Sequence, residues 1–170
     1  LIRAVMSALL TSHGLRSNVE VILHLQGGPG PHRRLKFVGS ELRGFHAEER
    51  SVAGLIAKAI REPSPAIGQW VERTPGLYDG GGNLGHTLTD WKDSVFIRLD
   101  AGAERLWKQN EPIPYQSLPN EQTIAFLLSD DQPLETDEGI PRSLGTTWLQ
   151  DHHAIAICHF LLDEGVQLNL

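Results

Sequence analysis

"LYDGGGNLGHTLTDWKDSVFIRLD", residues 77–100, can be read toward two different folds. Gly80-x-Gly82-x-x-Gly85, a short helical stretch and an apolar run ending at Asp100 match the outline of a dinucleotide-binding turn. That turn needs a strand directly before its first glycine and a helix opening at its last. Here "RTPGLYD" comes first, and Pro75 with Gly76 makes a poor central strand. The interval from Gly85 to Ser94 is short for a crossover helix. Asp100 follows Gly85 by fifteen residues, where about twenty is usual. The glycines therefore read as a flexible surface loop, and a nicotinamide-dependent oxidoreductase would rest on them alone. What remains of the stretch is "SVFIRLD", a strand whose carboxyl end falls at Leu99 and Asp100.

Outward from that strand, β-like and helical patterns alternate. "LIRAVMSALLTS" carries apolar residues at 2, 5, 6, 9 and 10, a helical spacing that ends by Gly14. "VEVILHLQG" is β-branched and alternating, and "LKFVG" is a second short strand. "HAEERSVAGLIAKAIRE" places apolar residues at 52, 55, 56, 59 and 60 behind an acidic first turn, as an amphipathic helix does. Residues 63–82 are rich in Pro and Gly and read as loop with one short extended piece. "QTIAFLLSD" is a nearly continuous apolar run, the mark of a strand buried in a parallel sheet. "EPIPYQSLPNEQ" and "SDDQPLETDEGIPRS" are polar loops, and "TTWLQDHHAIAICHFLLDEG" runs into a closing helix. The order predicts an α/β domain with a mostly parallel sheet flanked by helices.

At 170 residues the chain is long enough for one domain with its own core. No apolar run approaches the roughly twenty residues that cross a bilayer, and no charged region leads into a signal-like apolar stretch. The single cysteine, Cys158, excludes an internal disulfide and a cysteine-rich zinc site, and suits a reducing cytoplasm. A net charge of −6 repels phosphate, so a nucleic-acid partner would need a local basic patch. The chain opens on Leu1 rather than Met, which leaves room for a preceding segment.

Several residues carry candidate chemistry. Adjacent side chains such as His152 and His153 do not share a helix face, so no metal site is expected there. "VGSEL" lacks the spacing of a nucleophile elbow at Ser40. Cys158, among Ile155, Ile157 and Phe160, reads as a small buried hydrophobe. "GSELRGFHAEERS" (39–51) is dense in charge. It is either a solvated helix start with local ion pairs, or an RNA site where Arg43 and Arg50 meet phosphate and Glu41 or Glu49 takes a proton. His13 and Arg16 beside Gly14, and "HRRLK" (32–36), can extend such a patch.

"SHGLRSNVEVILHL", "VGSELRGFHAEERSVAGLIAKAI", "TPGLY", "FLLSDDQPL" and "SLGTTWL…HHAIAICHFLLDEG" occur in one order over nearly the whole chain. In that order they resemble the tRNA pseudouridine-54 N1-methyltransferase family, of the SPOUT class of S-adenosylmethionine-dependent RNA methyltransferases. "GSELRG…ERS" is the most specific block.

The resemblance implies a single domain over 1–170, with a deep trefoil knot at about 95–165 and one further strand before Leu1. It also implies a homodimer and S-adenosylmethionine held by three loops. By position these offer Leu99, then Ser129 (where the family usually has Gly), then Leu144, Gly145, Thr146, Thr147, Trp148 and Leu149, with Ala154 standing where a cysteine is usual. Loops at the carboxyl ends of parallel strands are where open α/β sheets bind ligands. Leu127, Leu128, Leu144 and Leu149 can supply apolar walls. The implied partner is tRNA, with His13, Arg16, Arg43 and Arg50 on its phosphates and Glu41 or Glu49 as proton acceptor. The alternatives are a ribosomal-RNA pseudouridine N1-methyltransferase and a non-catalytic RNA-binding factor on the same fold.

Overall fold

A computed structural model describes residues 1–27, 30–108, 122–129, 134 and 136–170. The chain divides into two compact units, Leu1–Lys92 and Asp93–Leu170.

The first unit begins with α1 (Ile2–Leu9), which buries Ala4, Val5, Ala8 and Leu9 along one side. The helix stops earlier than its apolar spacing predicts. Leu10–Thr11 (β1) turns back through Ser12 and His13 to pair with Gly14–Leu15 (β2). Two strands follow, β3 (Glu20–Leu25) and β4 (Arg33–Val38), then helix α2 (Glu49–Arg61). The helix buries Val52, Ile56 and Ala59, the centre of the predicted stripe, while Ile60 is exposed. Glu49 in its first turn and Lys58 and Arg61 in its last match the helix dipole.

Residues 63–82 hold more order than the loop predicted for them. Trp70–Thr74 (β5) and Leu77–Gly81 (β6) form a hairpin with a bulge near Arg73. Pro75 and Gly76 make its turn, and Gly76 takes the positive φ of 77° that the second central position of a type II turn requires. The strands lie in the order β3-β4-β6-β5. Every pair in this sheet is antiparallel, so the mostly parallel sheet read from the sequence is corrected for this unit. For two of the three pairs the physical reason is local, and Pro75 and Gly76 alone join β5 to β6. Only residues 26–32 join β3 to β4, too few for the dozen or more that a parallel crossover needs.

The opening glycines are also reassigned. Gly80 and Gly81 are buried strand residues, not a flexible loop. A Cβ on Gly80 would stand 2.6 Å from the Trp70 ring, and one on Gly81 would stand 2.4 Å from the Pro65 carbonyl oxygen. Asn83 then caps the short helix α3 (Leu84–Asp90) in a reciprocal box with His86.

The second unit is the parallel one. β7 (Val95–Leu99) is its central strand, with β8 (Ile124–Leu127) on one side and β9 (Ile140–Arg142) on the other, both parallel to it. β9 lies inside the predicted polar loop. It is only three residues long, and Pro141 is tolerated because the strand is at the sheet edge. Helix α4 (Asp151–Asp163) closes the unit. Ile97, Leu106, Leu161, Val166 and Leu168 form the core, with Leu99, Ile124, Phe126 and Leu144 packed around it.

Candidate active site

Because β7, β8 and β9 are parallel, their carboxyl ends share one edge, and the three loops singled out in the sequence leave from it. Register places Arg98 beside Leu127 and Leu99 beside Arg142, so Leu99, Ser129 and the segment beginning at Leu144 sit at corresponding depths. Leu99 and Leu144 are half-buried on the core, and Ser129 is exposed.

The first and third loops are tied together. Asp100 N–H donates to the Arg142 carbonyl at 2.9 Å, Ser143 N–H to the Glu104 carbonyl at 2.7 Å, and Leu106 N–H to the Ser143 carbonyl at 2.9 Å. Gly145 has a φ of 148°, and an added Cβ there would meet nothing within 4 Å. A glycine beside empty space at this edge fits the close approach of a flat or extended ligand. Beyond it Thr146 and Thr147 are exposed, Trp148 is 89% exposed and Leu149 39%. Ala154 belongs to the buried side of α4 with Cys158 and Leu161. Burial pushes the Cys158 thiol up to about 12, so it stays protonated and inert at neutral pH.

The RNA candidates lie on the first unit, where several loops meet. Gly39 N–H donates to the Val19 carbonyl, and a Cβ on Gly39 would strike the Arg16 carbonyl at 1.9 Å. Val38 N–H donates to the Gly76 carbonyl, and a Cβ on Gly76 would lie 2.4 Å from Leu42 N. The turns at 16–19, 39–43 and 75–76 are thus in backbone contact, and this brings Arg16, Glu41 and Arg43 to one end of the sheet. His13 is exposed at the tip of the β1–β2 hairpin, and Arg50 is exposed in the first turn of α2.

The two proposed proton acceptors have different partners. Tyr78 Oη donates to Glu41 at 2.5 Å, whereas Glu49 accepts from Arg3 Nε at 2.7 Å, both exposed. The Glu41 bond raises the Tyr78 phenol to about 12, with burial and the charges of Glu41, Glu72 and Glu20 adding to it. Arg43 donates to the carbonyls of Ser40 and Leu42 in its own turn.

The "HRRLK" cluster does not form a basic patch. Arg33 and Arg73 both grip the buried Asp79, at 2.6 and 2.7 Å. Arg33 also donates to the carbonyls of Ala59, Ile60 and Glu62 that close α2. Arg34 is fully buried against Trp70 and bonds to Thr87, Asp90 and the Gly81 carbonyl. Across the β3–β4 pair it faces His24, whose pKa falls to about 4 through burial and then the Arg34 charge. Sequence reasoning missed Tyr78 as the partner of Glu41 and Ser143 as the residue joining two loops. The only signal for Ser143 was its place at the head of "SLG".

The second unit thus holds a parallel sheet with loops tied at its carboxyl edge, and the first unit holds the charged loops. Residues 1–104 match the family model described as "Putative SAM-dependent RNA methyltransferase". The tRNA (pseudouridine(54)-N(1))-methyltransferase of Methanospirillum hungatei JF-1 is 34% identical over 92% of this chain and 77% of its own length. That of Thermococcus gammatolerans is 34% identical over 96% and 82%. The chain belongs to this methyltransferase family. The crystal structure of Archaeoglobus fulgidus Nep1 bound to S-adenosylhomocysteine shares the fold. Its TM-score is 0.64 over 96% of this chain and 68% of that one, at 14% identity.

Proposed function

We propose that this chain transfers a methyl group from S-adenosylmethionine to N1 of pseudouridine 54 in the T-arm of tRNA. The observation that carries the proposal is the shared carboxyl edge of β7, β8 and β9, from which the loops bearing Leu99, Ser129 and Leu144–Leu149 leave. It is supported by relatives at 34% identity that bear this activity's name. In this reading the chain folds as one SPOUT-like domain over 1–170, knotted at about 95–165. It works as a homodimer in the cytoplasm.

S-adenosylmethionine, when bound, supplies an electrophilic methyl group. The backbone groups of Leu144–Leu149 and Leu99 hold it, with Ser129 and Ala154 lining the site. Arg16, Arg43, Arg50 and His13 bind phosphate and orient the RNA, so that the acceptor nitrogen is in line; proximity does most of the work. The N1–H proton must leave. Glu41, oriented by Tyr78, receives it, with Glu49 as the alternative acceptor. The target base lies in a folded RNA loop and is exposed before it reacts.

Methyl-labelled S-adenosylmethionine is incubated with tRNA carrying pseudouridine 54 and with the same tRNA carrying uridine there. Label in the pseudouridine tRNA alone is expected. Label in ribosomal RNA instead, or RNA binding with no transfer to any RNA, overturns the proposal.

A further inference from the structure

Ser143 stands where β9 passes into the third loop, and each of its polar groups is engaged. Its N–H donates to the Glu104 carbonyl at 2.7 Å, and its own carbonyl accepts from Leu106 N–H at 2.9 Å. Its hydroxyl accepts from Gly145 N–H at 3.0 Å and donates to the Gly145 carbonyl at 2.8 Å, with the Ala101 carbonyl 3.4 Å away as a second acceptor. A hydroxyl has one proton and two lone pairs, so it can serve both peptide groups of one residue at once. The side chain is buried.

Gly145 has a positive φ, and no neighbouring atom lies where its Cβ would be. No packing at that position fixes its conformation, whereas the Ser143 hydroxyl bonds to both of its peptide groups. We propose that Ser143 is the positioning residue of the donor pocket. Its hydroxyl clasps Gly145 while its backbone N–H and carbonyl fasten the third loop to the first, so that the edge is arranged before the adenosyl group arrives. This rests on the reading of that edge as the donor site. A loop ordered in advance loses less entropy when its ligand binds, which raises affinity without a new contact.

Calorimetric titration of S-adenosylhomocysteine into the wild type, Ser143→Ala and Ser143→Thr tests the clasp. Saturable binding by the wild type is expected, with a Kd about five- to tenfold higher in Ser143→Ala, the worth of roughly one hydrogen bond. Ser143→Thr keeps the hydroxyl and should bind within about twofold of the wild type. A Ser143→Ala protein that melts earlier yet binds with unchanged Kd has lost only a structural bond, and that result overturns the proposal. Equal weakening in both variants removes the assignment to the hydroxyl and overturns it too. No binding by the wild type overturns the donor reading and the proposal with it. If Ser143→Ala does not fold, hydrogen exchange in the wild type decides. A Gly145 amide protected before any donor is added supports the clasp, and an unprotected one refutes it.

Discussion

Replacing Asp79 by Ala tests how the antiparallel unit holds its charged loops in place. The Asp79 carboxylate is fully buried and accepts four hydrogen bonds. Two come from Arg33, at 2.7 and 2.6 Å, and two from Arg73, at 3.0 and 2.7 Å. The same two guanidiniums bond to the carbonyls of Ala59, Ile60, Glu62 and Pro63. One carboxylate therefore fixes the end of α2 and the chain leaving it against β4 and β5.

Removing one partner of a buried ion pair costs about 3–5 kcal/mol, because the other charge is left without its counter-charge. Arg33 and Arg73 would keep their carbonyl acceptors and some contact with water, at 11% and 17% side-chain exposure. We therefore predict the lower end, about 3 kcal/mol, against a total stability of roughly 5–15 kcal/mol. In a chain of this size that lowers the melting temperature by about 6–12 °C. Urea unfolding followed by circular dichroism measures it. Adding Arg73→Met to Asp79→Ala should cost less than the sum of the two single changes, since both remove the same bonds. A loss below about 1 kcal/mol for Asp79→Ala would show that the carbonyls alone satisfy the arginines, and would refute the reasoning.

Three further outcomes are expected. Gly80→Ala should push Trp70 off the sheet and out of its stack with Arg34, costing about 1–3 kcal/mol; an unfolding midpoint equal to wild type would contradict this. In a Tyr115→Phe background, which leaves one tyrosine, the Tyr78 phenolate should appear near pH 12, and Glu41→Gln should return it toward 10. A phenol raised on folding contributes stability that is complete below pH 10 and lost between 10 and 12; phenolate absorbance near pH 10 in the unaltered Glu41 protein would sink the contact. His24 shifts the other way, from 6.5 down to about 4, so its contribution is present above pH 6.5 and is lost as pH falls toward 4. The urea midpoint should therefore fall more steeply over that range in wild type than in His24→Phe, and parallel curves would disprove it.

The sequence made α2, β7 and β8 legible for the same reason. Val52, Ile56 and Ala59 repeat with the helix period, and the runs "VFIRL" and "IAFL" suit strands buried in a parallel sheet. That the loops after β7, β8 and β9 leave one edge follows from their pairing, because three parallel neighbours must put their carboxyl ends together. The pairing of β3 with β4 was not legible, because periodicity assigns a face and never a partner. Nor was the fate of Arg33 and Arg34. Whether a strand arginine meets water or a carboxylate depends on Asp79 and Asp90, 46 and 56 residues away. β9 escaped notice because three residues containing a proline carry almost no periodic signal.

The glycine run of 80–85 shows why a matching motif can lack the matching function. A strand, a glycine turn and a helix are all present here, in the order that a dinucleotide site requires. Such a site works only if the glycines leave space for a phosphate and the helix leaves its first N–H groups free. At Gly80 that space holds the Trp70 ring, and at Gly81 it holds the backbone of Pro65 and Ala66. The start of α3 is closed by Asn83 and His86, which cap each other's backbone N–H groups. These glycines admit parts of the protein itself. Gly145 differs in each respect. It stands at the carboxyl edge of parallel strands, no atom of the described residues occupies the space beside it, and its peptide groups are held by a single serine. A glycine can admit a ligand only when the space it leaves is still empty after folding, a condition that Gly80 and Gly81 fail and Gly145 meets.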